Sequence, residues 1–374
     1  MLCTLAFAIS ALPWLVQSLP AFDIPTDAQL HIPLARRDQP ADPFNFEHLI
    51  VDLKRAQNAL YEEELKILRG YAAYEENSGR IITHSSAETT ATTRASATGT
   101  LAADRAQSMW YGNITVGTPP KVYSGKKGSP FFPPSCDTEA SAVDFDTGSS
   151  DIFLPGPSCT DSNCAGHRKY DPKASSSAKA LNQRFELDYA DGSQVVGTQY
   201  ADTVRFGTVA ATQQALGAAD AYSSSLALSQ FASDGLLGMA FRPVSAFDQD
   251  PFFATLVRQG QLGDAVFAFR LRAGDAQLTL GAADPSAYKG AFAYAPVTEV
   301  AYWKVNMDSI AVNGARVLDA RAAIIDTGTT LVLGTMGDVQ KLYGAIKGAR
   351  SATDLGMDAG FYTSECSPSQ SECG

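Results

Sequence analysis

The sequence has few histidines, and this shortage removes several kinds of enzyme chemistry. Only four of its 374 residues are histidine, and only His167 lies in the strand-rich region that begins near Met109. A serine or cysteine nucleophile that needs a histidine base would therefore depend on this single side chain. The sequence also contains no HExxH zinc motif, no phosphate-binding Gly-Lys-Ser/Thr loop and no GxGxxG fingerprint.

Positive charge and long apolar runs are also scarce. The net charge is −11 and the isoelectric point is near 4.9, which argues against binding to a phosphate backbone. Apart from residues 1–18, MLCTLAFAISALPWLVQS, no run approaches the length of a membrane span. That segment ends in small residues and is interpreted as a signal peptide, although it lacks Lys and Arg. We expect a soluble, exported protein without a membrane anchor, located outside the cell or, alternatively, in a vacuole.

Cysteine usage agrees with export. Cys159 and Cys164 occur in GPSCTDSNCAG, a loop rich in turn residues, and are predicted to form a disulfide. The alternative is a zinc site, for which His167 is the only further ligand nearby. The remaining cysteines are Cys3, Cys136, Cys366 and Cys373. Since Cys3 would leave with the signal peptide, the count is odd, which indicates an irregularity in the sequence.

The segment before Met109 is organised differently from the rest. Residues 44–78 show apolar residues at one-face helical spacing, and residues 83–100, THSSAETTATTRASATGT, are predicted to be a flexible linker. A signal peptide, a helical segment and a cuttable linker before a large body are typical of a secreted zymogen, so 19–105 is interpreted as a pro-segment. The alternative is a small helical subdomain on a tether.

From Met109 onward the pattern is that of short strands separated by Gly, Asp and Asn turns. The predicted strand segments are WYGNITVG, RFELDYA, QVVGTQYADTVRFG, AQLTLGAAD and YWKVNMDSIAVNG. Two helices are predicted, in DPFFATLVRQGQLG and in GTMGDVQKLYGAIKGA. The body is therefore predicted to be chiefly β, with mostly antiparallel pairing.

Two similar motifs carry the remaining chemistry. VDFDTGSSDIF occupies 143–153 and IIDTGTTLVLG occupies 324–334, so Asp146 and Asp326 each follow an apolar run and precede Thr-Gly. Two carboxylates held close together share a proton, so that one acts as base on a water and the other donates a proton to a carbonyl. Taken singly, either motif is better explained as a turn after a strand.

Further segments extend this similarity: YGNITVGTPPKVY, LDYADGS, DGLLGMAF, YDPKASSSA, LTLGAAD and YWKVNMDSIAVNG. With them, the chain resembles a pepsin-like aspartic endopeptidase of the secreted fungal type from about Trp110 to Cys366. The resemblance implies an all-β bilobal fold of two β-barrel-like lobes with a cleft between them. It places the N-terminal lobe at 106–290 and a partial C-terminal lobe at 291–374.

The resemblance also implies roles for individual residues. Asp146 and Asp326 correspond to the catalytic pair, and Tyr189 corresponds to the tyrosine of a flap that closes over substrate. The implied substrate-binding residues are Thr147, Gly148, Ser149, Phe153, Tyr189, Asp191, Ser193, Thr327, Gly328 and Thr329. Phe153 stands where the family often has tryptophan, so it lacks the indole N–H that would bond to the flap tyrosine.

The function implied is that of an aspartic endopeptidase (a hydrolase) that cleaves peptide bonds at acidic pH without metal or cofactor. Its partners would be protein or peptide substrates and not nucleic acid, and the protein is expected to be a monomer. The alternative function is that of a catalytically inactive homologue that holds peptides or polysaccharide in the cleft.

Two departures from the family pattern matter. Residues 125–142, GKKGSPFFPPSCDTEASA, interrupt GTPPKVYS and VDFDTG, and are interpreted as a translated intron or as a loop inserted at a hairpin tip. The family also continues well past the position of Cys366, so the second lobe is expected to be incomplete in this sequence. A lobe without its bracing strands exposes apolar surface and strand edges, which predicts that the chain as written is unstable or inactive.

Overall fold

The structure is a computed structural model that describes residues 6–10, 95–103, 109–123, 142–272, 274–330, 332–355 and 361–363. The predicted helix over 44–78, residues 125–141 and the cysteines Cys3, Cys136, Cys366 and Cys373 lie outside these ranges. In the part described, no helix combines the length and the apolar composition needed to cross a membrane.

Strands dominate the described residues, as the alternation in the sequence predicted. The first twelve are β1 Ala6–Ser10, β2 Ala97–Ala103, β3 Trp110–Val116, β4 Lys121–Tyr123, β5 Ala142–Asp146, β6 Ile152–Pro155, β7 Lys179–Asp188, β8 Gln194–Phe206, β9 Val209–Tyr222, β10 Gly235–Gly238, β11 Val266–Arg270 and β12 Ala276–Leu280. They are followed by β13 Val297–Val300, β14 Trp303–Met307, β15 Ile310–Val312, β16 Ala315–Leu318, β17 Arg321–Ile324, β18 Arg350–Ser351 and β19 Tyr362–Thr363. The helices are α1 Phe252–Arg258 and α2 Met336–Gly344, and both lie where helices were predicted.

The first twelve strands form one sheet that closes on itself. Its order is β1-β11-β12-β2-β3-β5-β10-β6-β9-β8-β7, with β4 beside β3. An additional pairing of β3 with β8 joins two strands far apart in this order, so β3, β5, β10, β6, β9 and β8 form a barrel-like ring. The pairs β5–β10 and β6–β9 are parallel and the other pairs are antiparallel. The buried side chains inside include Phe145, Phe206 and Leu237.

The end of the predicted linker is ordered in this sheet. Thr98 and Thr100 lie in β2, which pairs with both β3 and β12. Ala97 and Leu101 are buried, and a Cβ added at Gly99 would lie 2.5 Å from the Phe206 ring. The prediction of a flexible linker up to residue 100 is therefore wrong for its last four residues, because small residues let this strand pack closely on the core.

Strand β1 falls within the predicted signal peptide. It pairs in antiparallel with β11, with Ala6 opposite Arg270 and Ser10 opposite Val266. These five residues therefore lie at one end of the sheet order, next to β11.

The strands after β12 form smaller units. β13, β14 and β17 make a three-stranded antiparallel sheet, and β15 pairs with β16. Trp303, at the start of β14, is 1% exposed and packs in the core of the large sheet against Phe241 and Phe267. The second Asp-Thr-Gly motif follows β17, so Trp303 connects the sheet that carries it to the first part of the chain.

Candidate active site

The first Asp-Thr-Gly loop starts at the end of a fully buried strand. All five residues of β5 are buried, and Asp146 is its last residue. β5 lies between β3 and β10, so its backbone is bonded on both sides and Asp146 is only 6% exposed. The strand thus delivers one carboxylate to a site that is largely shielded from solvent.

Strand β10 braces this loop. Beyond Gly238, the N–H of Met239 donates to the Asp146 carbonyl at 2.7 Å, and the N–H of Ala240 donates to the Ser149 carbonyl at 2.8 Å. A Cβ on Gly238 would lie 2.4 Å from the Ser150 nitrogen. Glycine is therefore required at 238 for the two chain segments to come this close.

Each aspartate is held by its own loop in the same way. Gly148 N–H donates to Asp146 Oδ1 at 2.8 Å, and the Ser149 hydroxyl donates to Oδ2 at 2.5 Å. In the second loop, Gly328 N–H donates to Asp326 Oδ1 at 2.8 Å, and the Thr329 hydroxyl donates to Oδ2 at 2.6 Å. The two loops therefore repeat one arrangement, as their sequences suggested.

The threonines tie the loops together. Thr147 N–H donates to Thr327 Oγ1 at 3.0 Å, and Thr327 N–H donates to Thr147 Oγ1 at 2.9 Å. The Thr147 hydroxyl donates to the Ile325 carbonyl, and the Thr327 hydroxyl donates to the Phe145 carbonyl. These bonds fix the loops face to face.

The glycines of the two loops bring the carboxylates together. A Cβ on Gly148 would lie 2.5 Å from Asp326 Oδ2, and a Cβ on Gly328 would lie 2.3 Å from Asp146 Oδ1. Each carboxylate therefore packs against the glycine of the opposite loop. The two carboxyl groups are therefore close enough for the charge of Asp326 to act on Asp146.

This environment changes the acidity of Asp146. Burial raises the pKa of Asp146 well above its usual range, and the charges of Asp326 and Asp144 raise it further, while the Ser149 hydrogen bond acts in the opposite direction. Asp144 precedes Asp146 by two positions on β5, so both side chains lie on the same side of the strand. Sequence reasoning gave Asp144 no role, although the alternation in VDFD places it there.

The second loop has less support among the described residues. Its strand β17 pairs with β14, Asp326 is half-buried, and Gly328 and Thr329 are exposed. Trp303 compensates in part: its carbonyl accepts the Ile325 N–H at 3.0 Å, and its indole N–H donates to the Met239 carbonyl at 3.0 Å. Sequence reasoning included Trp303 in a family landmark but did not identify this bridge. A lone tryptophan in a strand-rich segment was the only available signal.

The predicted flap is a hairpin formed by β7 and β8. Its turn is closed by Tyr189 N–H donating to the Ser193 carbonyl and by Gly192 N–H donating to the Tyr189 carbonyl. Asp191 Oδ1 accepts bonds from the Ser193 N–H at 2.9 Å and from its hydroxyl at 2.6 Å. Asp191 and Ser193, predicted to contact substrate, are therefore bonded to each other within the turn, and Ser193 is buried.

Tyr189 extends from the flap to the first loop. Its hydroxyl is hydrogen-bonded to the Ser149 side chain, which in turn donates to Asp146. The Phe153 ring is fully buried and its centroid lies 6.1 Å from that of Tyr189. Burial and the nearby carboxylates raise the pKa of Tyr189 well above its usual range, so its hydroxyl stays neutral. Phe153 thus supports the flap tyrosine by packing, while Ser149 supplies a hydrogen bond.

The loop cysteines form a disulfide. Cys159 and Cys164 are joined and buried, with their Cα atoms 5.8 Å apart. Asp161, the third potential ligand there, accepts bonds from the N–H groups of Asn163 and Cys164. His167, considered above as a zinc ligand, is bonded through Nε2 to the Leu226 carbonyl at 3.0 Å. Because both thiols are used in the disulfide, this cluster does not offer a zinc site.

Comparisons with known proteins agree with this geometry. The family model described as eukaryotic aspartyl protease matches residues 136–373. An aspartic protease of Phaffia rhodozyma is 36% identical over 277 residues, covering 73% of this chain and 62% of the relative. Pepsin II-2/3 of Oryctolagus cuniculus is 31% identical and cathepsin D of Gallus gallus 34%, each covering 64% of this chain and 58% or 57% of the relative. The chain thus spans about 60% of the length of these curated relatives.

Proposed function

The chain belongs to the eukaryotic aspartyl protease family, and from this premise we propose that it is an aspartic-type endopeptidase that hydrolyses peptide bonds at acidic pH. The observation that carries the proposal is the pairing of Asp146 and Asp326. Both are held by the same loop hydrogen bonds, and each packs against the glycine of the opposite loop. If each motif were only a turn after a strand, the two loops would not need to pack against each other in this way.

The pair supplies both an acid and a base. The shared proton is favoured on Asp146, because Asp146 is the more buried and its pKa is raised. Asp326 then accepts a proton from the attacking water while Asp146 donates its proton to the substrate carbonyl oxygen. The tetrahedral intermediate collapses when the leaving amine nitrogen takes the proton held by Asp326 and the C–N bond breaks. One hydroxyl proton of the intermediate returns to Asp146.

The flap defines the substrate class. An extended peptide would lie beneath Tyr189 and across the two aspartates, with its side chains alternating to either side. Protein and peptide chains are therefore the proposed substrates. The residues proposed to surround the bound segment are Thr147, Gly148, Ser149, Phe153, Asp191, Ser193, Thr327, Gly328 and Thr329. We also propose a monomer that is exported, with the medium favoured over a vacuole, and residues 1–18 and 19–105 as signal peptide and pro-segment.

A peptidase assay tests the proposal. The protein should cleave denatured haemoglobin at about pH 4, where one carboxyl of the pair is protonated and the other ionised. Cleavage by this chain would overturn the sequence-based expectation that it is unstable or inactive. Asp146→Asn and Asp326→Asn should each abolish cleavage. Asp319→Asn, at a side chain that is 84% exposed, should leave it unchanged. A wild-type protein that binds a statine-type inhibitor or a peptide but cleaves nothing would favour the inactive, binding homologue instead.

A further inference from the structure

Tyr222 is a buried tyrosine that the proposed chemistry does not use. It is the last residue of β9 and is 3% exposed. Its hydroxyl donates to the Asp234 carbonyl at 2.8 Å, and its own carbonyl accepts a bond from Asn163 Nδ2 at 2.9 Å. Both ends of the residue are therefore fixed.

The Tyr222 ring stands between two other rings. It meets Phe153 edge to face, with centroids 5.6 Å apart and planes at 85°, and it meets His167 at 5.7 Å and 71°. His167 is in turn held by the Leu226 carbonyl and lies 3.8 Å from Asp234. Because interiors are close-packed, this arrangement prevents Phe153 from moving away from the flap.

Phe153 transmits this support to the flap tyrosine. Its ring is fully buried and contacts the rings of both Tyr189 and Tyr222. The backbone makes a second connection, since Tyr222 pairs with Val195 of β8, the second strand of the flap. The neighbouring Gln194 and Ser223 add two further hydrogen bonds.

We propose that Tyr222 is a positioning residue for the flap. Its ring, packed between Phe153 and His167, holds Phe153 against Tyr189 and so sets the distance between the flap tyrosine and the Ser149–Asp146 pair. The inference rests on the proposed peptidase function for its kinetic consequence, but its structural consequence can be measured separately.

Hydrogen exchange of the flap amides, residues 189–193, tests the structural consequence. In Tyr222→Leu these amides should exchange about three- to tenfold faster, the range expected when an aromatic pair is lost. Tyr222→Phe keeps the ring and should match the wild type. Phe253→Leu, at a buried ring of α1 that packs on Phe267, is the control for a core cavity elsewhere. Unchanged flap exchange in Tyr222→Leu, or an equal increase in Phe253→Leu, overturns the proposal.

Peptide hydrolysis separates positioning from simple loss of folded enzyme. With active sites titrated, Tyr222→Leu should raise KM about three- to tenfold and leave the pH profile unchanged, and Tyr222→Phe should restore KM. A lower concentration of active sites with unchanged KM would contradict a positioning role. If Tyr222→Leu does not fold, Tyr222→Met, which fills most of the space without a ring, takes its place. A wild-type protein without peptidase activity would defeat the proposed function, while the exchange experiment would still decide the role of Tyr222.

Discussion

Thr147 and Thr327 bind each other's loops reciprocally. Each hydroxyl accepts the backbone N–H of the other threonine, at 3.0 Å and 2.9 Å, and donates to a carbonyl of the opposite segment. Each hydroxyl thus acts as donor and acceptor at once, which an apolar side chain of the same shape cannot do. The relative position of Asp146 and Asp326 therefore depends on these two hydroxyl groups.

Removing one of these hydroxyls should separate the loops. Thr327→Val keeps the shape but leaves the Thr147 N–H and the Phe145 carbonyl without this partner, so we expect a loss of about 2–3 kcal/mol in the free energy of unfolding. Peptidase activity should fall strongly as well. Thr327→Ser retains the hydroxyl and serves as the control. Urea denaturation and kcat/KM measure the two effects, and equal values for the valine and serine variants would show that the hydroxyl is dispensable.

A methyl group at Gly328 should impair the carboxylate pair without unfolding the protein. The added Cβ would lie 2.3 Å from Asp146 Oδ1, so the Asp146 carboxylate must move away from its partner. Gly328→Ala should therefore lose activity and statine binding while its circular dichroism stays native. Gly337→Ala, in α2, meets nothing within 4 Å and should be as active as the wild type. Full activity in Gly328→Ala would mean that the loops can separate at no cost to catalysis.

The elements with strong local patterns could be predicted from the sequence. Strands β3, β7 and β8 alternate clearly, and both helices carry continuous helical patterns, so local sequence specified them. The two aspartate loops were also recognisable, because Asp-Thr-Gly and a hydroxyl residue recur after an apolar strand. Their hydrogen bonds differ only in the use of Ser149 or Thr329.

Features that depend on distant partners could not be predicted. The strand β2 consists mostly of Ala, Thr and Gly, a composition that alone indicates a linker, and only its contact with Phe206 explains the glycine at 99. The bridge made by Trp303 and the ring contact between Tyr222 and Phe153 each join residues from separate elements. No local periodicity records such contacts.

The raised pKa of Asp146 should make the protein less stable as the pH rises. In the unfolded chain Asp146 ionises near the ordinary aspartate pKa of 3.8, whereas in the folded protein burial raises its pKa and keeps it protonated to higher pH. Its favourable contribution is therefore complete below the unfolded pKa and is lost as the pH rises towards the folded pKa. Asp146→Asn removes this effect. The free energy of unfolding of this variant minus that of the wild type should therefore be larger at about pH 7 than at about pH 3.

The exposed Asp319 provides the control for this pH effect. Asp319→Asn removes one carboxylate that is 84% exposed, and it should leave the difference between the two pH values as in the wild type. Chemical denaturation of the wild type and both variants at the two pH values gives the six free energies needed. A stability of Asp146→Asn that follows the wild-type pH curve would show that Asp146 is ionised in the folded protein.

Trp303 should matter for both stability and catalysis, because it connects the second aspartate loop to the brace of the first. Trp303→Phe loses the bond from the indole N–H to the Met239 carbonyl and part of the buried ring volume, which together should cost about 1–2 kcal/mol. Trp303→Leu also leaves a cavity beside Phe241 and Phe267, for a loss of about 3 kcal/mol.

The loss of Trp303 should also lower kcat more than it raises KM. The carbonyl of Trp303 accepts a hydrogen bond from the Ile325 N–H. A shift of β14 into the cavity would therefore move Asp326 relative to Asp146, while the flap and the first loop stay in place. Tyr294→Phe, at a ring that is 69% exposed, should change neither stability nor kcat. Steady-state kinetics on active-site-titrated Trp303→Leu decides the matter: a normal kcat would show that the second loop holds its position without the tryptophan.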